Sequence, residues 1–112
     1  MKIYHNPRCS KSRQTLKILQ ENGVEPEIVK YLEDVPTANE LREILKKLGI
    51  KPEKLVRKIE KIYKEKFKGK ELSDEEWIQA MVEYPKLIQR PIVVKGNKAV
   101  LGRPPENVKE FL

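Results

Sequence analysis

The hydrophobic positions change period several times along the chain, and each change marks an element. Lys2–Tyr4 reads as a short strand that runs into the turn signal Asn6-Pro7. From Ser10 to about Asn22 the spacing is helical, with Leu16 and Leu19 on one face and Gly23 as the stop. Glu27-Ile-Val-Lys-Tyr-Leu32 is rich in β-branched and aromatic residues and predicts a second strand. Thr37 and Glu40 then form a capping-box signature ahead of Leu41, Ile44, Leu45 and Leu48, which share a helix face closed by Gly49. Pro52 fits the first turn of another helix carrying Leu55, Val56 and Ile59. Lys58 to Lys70 is dense in Lys and Glu, with Ile62, Tyr63 and Phe67 as apolar anchors. Ser73 and Glu76 make a second capping box before Trp77, Ile78, Met81 and Val82. Past Pro85 the period shortens again. Pro91-Ile-Val-Val94 predicts a strand, Gly96-Asn97 a two-residue hairpin turn, and Ala99-Val-Leu101 its partner. Gly102-Arg103-Pro104-Pro105 turns the chain into a short terminal helix. Strand, helix, strand, a block of helices, then two strands and a helix describe an α/β protein.

Composition narrows the picture. A chain of 112 residues has room for one core, so a single domain over residues 1–112 is expected, with a helical insertion at about 37–84. The net charge of +7 raises the question of nucleic acid. The lysines, however, are interleaved with glutamates at helical spacing, as in Glu43/Lys47 and Glu60/Lys64, which describes a solvated ionic surface, and no nucleic-acid partner is expected. No apolar run approaches the roughly 20 residues of a membrane span, and the first residues lack a signal-peptide core, so a cytoplasmic location is expected. One cysteine cannot form an internal disulfide.

That cysteine, Cys9, carries the candidate chemistry. It lies where the first strand hands over to the first helix, beneath N–H groups that have no intrahelical partner. Those groups and the helix dipole favour thiolate over thiol and can also cradle an incoming oxyanion. Six arginines against eighteen lysines are placed suggestively: Arg8 and Arg13 flank the thiol segment, and Arg90 and Arg103 each precede a proline. A guanidinium fork suits a tetrahedral oxyanion better than an ammonium does. Ser12 holds the second position of a C-x-x-C spacing, so a dithiol cycle within one chain is excluded and an external thiol must complete any reduction begun at Cys9.

The segment His5-Asn6-Pro7-Arg8-Cys9-Ser10-Lys11-Ser12-Arg13-Gln14-Thr15-Leu16 resembles the active-site segment of the glutaredoxin-coupled arsenate reductases. Pro26–Leu32, Arg57 in Leu-Val-Arg-Lys, Gln89-Arg90-Pro91-Ile92-Val93-Val94 and Leu101-Gly102-Arg103-Pro104 are similar to the same family. The resemblance implies a thioredoxin-like, four-stranded mixed sheet with the helical insertion between its second and third strands. It implies that Cys9 is the nucleophile that forms a covalent thioarsenate, that His5 and Ser12 support the thiol, and that Arg57, Arg90 and Arg103 hold the oxyanion. It further implies no metal and no bound cofactor, with glutathione and glutaredoxin as external reductants of a monomer. Pro91 is expected to follow a cis peptide bond. The same superfamily includes non-catalytic Spx-type regulators that bind RNA polymerase and commonly carry a C-x-x-C redox switch, which Ser12 removes here. A related thiol enzyme acting on another substrate is the remaining alternative.

Overall fold

The computed structural model describes residues 1–112. Two compact units make up the chain: Met1–Asp34 together with Arg90–Leu112, and Val35–Gln89.

The first unit is a four-stranded mixed sheet. Strands β1 (Lys2–Tyr4), β2 (Glu27–Val29), β3 (Ile92–Lys95) and β4 (Lys98–Leu101) lie in the order β2-β1-β3-β4. β1 runs parallel to β2 and antiparallel to β3, and β3 and β4 form the antiparallel hairpin across Gly96-Asn97. Helix α1 (Ser10–Glu21) connects the two parallel strands. Side chains alternate across a strand, so the register pairs Ile3↔Val93 and Val93↔Val100 put these three on one face. There Ile3 and Val93 form a cluster with Leu19 of α1 and with Val108 and Phe111. The last two belong to the terminal segment Pro105–Phe111, which is a 3₁₀ helix.

The second unit is helical: α2 (Ala38–Leu48), α3 (Pro52–Leu55), α4 (Lys61–Lys66) and α5 (Asp74–Glu83). Both capping boxes form. Thr37 Oγ1 accepts from Glu40 N at 3.1 Å and Ser73 Oγ from Glu76 N at 3.2 Å, each reciprocated by the glutamate side chain. Gly49 ends α2 with φ at 70°, a left-handed conformation that glycine adopts without steric cost. α5 packs against α2 and α3 and buries Trp77, Ile78, Ala80 and Met81. Tyr63 stacks on Trp77 at 6.3 Å between ring centroids. The helix at Pro52 is shorter than its hydrophobic spacing suggests. Val56 is extended and pairs with Ile88, because Arg57 N donates to Leu87 O at 2.6 Å and Gln89 N to Leu55 O at 2.9 Å. Ile59 consequently lies outside that helix and is exposed. No helix in the protein is long and apolar enough to cross a membrane.

Candidate active site

The sheet register assembles the site. β1 and β3 are antiparallel neighbours, with Tyr4 opposite Ile92, so the chain leaving β1 emerges beside the residues that enter β3. β3 and β4 pair Ile92 with Leu101, and one step further Gly102 N donates to Pro91 O at 2.9 Å. One more step brings Arg90 and Arg103 opposite each other. The Arg103 guanidinium crosses that gap, its Nη1 donating to Arg90 O at 3.0 Å and lying 3.9 Å from Cys9 Sγ. Both arginines precede cis-prolines: the Arg90–Pro91 bond is cis as the sequence leads one to expect, and Arg103–Pro104 is a second, which the sequence reading did not anticipate.

Cys9 is the N-cap residue of α1, extended at φ −93° and ψ 122°, and partly exposed. Its loop is built by short-range bonds: Cys9 N donates to Asn6 O at 3.0 Å, Arg8 N to Asn6 Oδ1 at 3.0 Å, and Arg13 Nη1 to Pro7 O at 2.9 Å. Burial pushes the Cys9 thiol up. The amide of Ser12, the guanidinium of Arg90 and the amide of Lys11 act in the opposite direction and hold it below the ordinary cysteine value. Neither amide makes a side-chain cap bond with the sulfur. The influence is that of N–H dipoles at an open helix end, where negative charge is favoured.

Ser12 has its hydroxyl engaged by His5 and Asn6. Its Oγ is fully buried, lies 2.6 Å from His5 Nδ1 and accepts from Asn6 N at 3.1 Å, while its backbone amide is the part that acts on Cys9. His5 is buried, and burial, then Lys30 and Arg13, lower its pKa from 6.5, so it is neutral at pH 7. With Asn6 N already donating to Ser12 Oγ, the serine proton is free to point at Nδ1 and place the imidazole proton on Nε2. His5 and Ser12 thereby support the loop that carries the thiol.

The structure brings Cys9, Arg90 and Arg103 together, with His5 and Ser12 behind them. Arg57 belongs to the helical unit, where its Nε donates to Glu60 Oε1 at 3.1 Å. No three His, Cys, Asp or Glu side chains converge as a metal set. Three contributors escape hydrophobic-pattern reading. Asn6 folds the loop, Thr15 bonds Lys11 O at 2.8 Å and Gly102 O at 3.4 Å, and Gly102 lets the two segments meet. The buried stripe of α1 is Ser12, Thr15 and Leu19, which is polar at its site end and therefore invisible to a search for apolar periodicity.

Such a sheet, with its single cysteine at a helix N-terminus beside two arginines, defines a thioredoxin-like protein. A profile of the ArsC family matches residues 4–111, and the chain belongs to that family. It is 56% identical to the YfgD protein of Escherichia coli K12, over 100% of this chain and 96% of that one. It is 46% identical to a protein of Haemophilus influenzae named arsenate reductase, over 98% and 97% of the two chains. A solved structure of an arsenate reductase from Vibrio cholerae superposes with a TM-score of 0.95 at 48% identity, over 99% of this chain and 96% of that one.

Proposed function

We propose that this chain reduces arsenate with Cys9 as nucleophile. The observation that carries the reading is the approach of the Arg103 guanidinium to a sulfur already lowered by Arg90 and by the end of α1. Arsenate is anionic at neutral pH, and a thiolate approaching it is repelled unless positive charge lies between them. Arg90 and Arg103 supply that charge, and the resemblance in Leu-Val-Arg-Lys adds Arg57 as a third contact. Sγ of Cys9 bonds to arsenic as one oxygen leaves with protons as water, giving the covalent thioarsenate. Two electrons then reach arsenic from external thiols, which end as a disulfide, and hydrolysis of the remaining sulfur–arsenic bond frees arsenite and the Cys9 thiolate. Glutathione and glutaredoxin are the external thiols in this reading, and the enzyme works as a cytoplasmic monomer. Relatives named arsenate reductase, at 41–46% identity over nearly the whole chain, support it.

The test is arsenate reduction coupled to glutathione and glutaredoxin, comparing the native protein with Cys9→Ser and Arg90→Ala. Turnover in the native protein, abolished by the first change and severely reduced by the second, is expected. A native protein that leaves arsenate unreduced overturns the reading.

A further inference from the structure

The loop that carries Cys9 has a second side. A cleft of about 230 Å³ opens there between His5–Arg8 of the loop and Lys30, Leu32 and Glu33 beyond β2. Arg90 and Arg103 do not line it. Arg8 is bonded to Cys9, so the cleft begins within one residue of the sulfur. Its wall carries two cations, Arg8 and Lys30, neither of which has an ion-pair partner although Glu33 lines the same cleft. His5, the third basic group, is neutral and already engaged with Ser12. Pro7 and Leu32 add apolar surface between the charges.

A chain with one thiol needs an outside thiol as well as the oxyanion, and glutathione, the reductant of the proposed reaction, is itself anionic. If both used the same arginines they would compete. We propose that the cleft lined by Arg8, Lys30 and Glu33 binds the reducing co-substrate, a small peptide thiol with two carboxylates and one ammonium, the chemistry of glutathione. Arg8 and Lys30 receive the carboxylates, Glu33 the ammonium, and Pro7 and Leu32 the methylene groups, which leaves the thiol free to reach Cys9. This rests on reading Cys9 as a nucleophile that depends on an outside thiol. Oxyanion and reductant then approach the sulfur from two sides on separate cations.

A test without arsenate isolates the cleft. Cys9 is first converted to its mixed disulfide with thionitrobenzoate. A glutathione thiolate attacks Sγ, the sulfur–sulfur bond breaks, and thionitrobenzoate leaves with the electron pair as a coloured anion, while Cys9 becomes the glutathione disulfide. The rate is divided by that of uncharged 2-mercaptoethanol at equal thiolate concentration, which cancels changes in the reactivity of Cys9 itself. The Arg8→Ala, Lys30→Ala pair is expected to lower the ratio about fivefold or more, the size expected for two cation–carboxylate contacts at a partly open cleft. Lys17→Ala with Lys46→Ala removes the same net charge from exposed sites elsewhere and is expected to leave the ratio within about twofold. An unchanged ratio in the first pair, or an equal loss in both pairs, overturns the proposal. Glutathione preference without arsenate turnover would sink the proposed function alone, and turnover without the preference would sink this inference alone.

Discussion

Thr15 Oγ1 fills the space that a β-carbon on Gly102 would need. Pro91 Cγ would lie 2.7 Å and Thr15 Cγ2 3.0 Å from that carbon. Neither neighbour can swing away, because Thr15 is fully buried with its hydroxyl on Lys11 O and Pro91 is a closed ring. The missing side chain lets the end of β4 close on α1, and the next residue along is Arg103.

Gly102→Ala should therefore cost about 1–3 kcal/mol, the usual range for overpacking a tight core position. Urea unfolding measures that loss. If the strand end moves off α1, Arg103 moves with it, and the KM for arsenate should rise by more than kcat falls.

Alkylation of Cys9 by iodoacetamide against pH should give a midpoint below that of free cysteine. Arg90→Ala should raise it, since the guanidinium favours the charged form. Stability carries the same signature. A thiol whose pKa is lowered by folding contributes fully above its unfolded pKa, and the contribution disappears as pH falls through the folded value. Cys9→Ser should flatten that part of the stability profile.

His5 gives a slope of its own. Folding lowers its pKa, so between the folded value and about 6.5 the unfolded chain binds more protons. Stability should fall as pH drops through this window. Denaturant midpoints from pH 7 to 5 measure the slope, and His5→Asn, which cannot protonate, should reduce it.

Ser12→Ala removes the partner of both His5 Nδ1 and Asn6 N in a buried setting. Leaving such groups unpaired costs about 1–3 kcal/mol each. The variant should lose stability in denaturant melts. Its Cys9 titration should move less than that of Arg90→Ala, because the amide of residue 12 stays in place.

Much of this arrangement is legible in the residues alone. Thr37/Glu40 and Ser73/Glu76 announce their helices because a cap is a local hydrogen-bond pattern, and Gly96-Asn97 announces its hairpin for the same reason. The Cys9 site is visible as a strand-to-helix transition bearing a thiol. The limits fall where distant segments decide. Val56 leaves its helix to pair with Ile88, a partner no local period can reveal. Thr15 looks like a solvent-facing helix residue until Gly102 is packed against it. Arg57 is singled out by the family resemblance alone, and its bond to Glu60 follows from local chain geometry.

The register that sets Arg90 opposite Arg103 has a consequence for the unfinished chain. Residues 9, 90 and 103 meet only when the central strand has gained its antiparallel neighbour and that neighbour its hairpin mate. A nascent chain, with neither the end of α1 nor the guanidinium groups in place around residue 9, therefore carries an ordinary, sluggish sulfhydryl. Quick modification at neutral pH becomes an inborn gauge of completed assembly, readable without any added label.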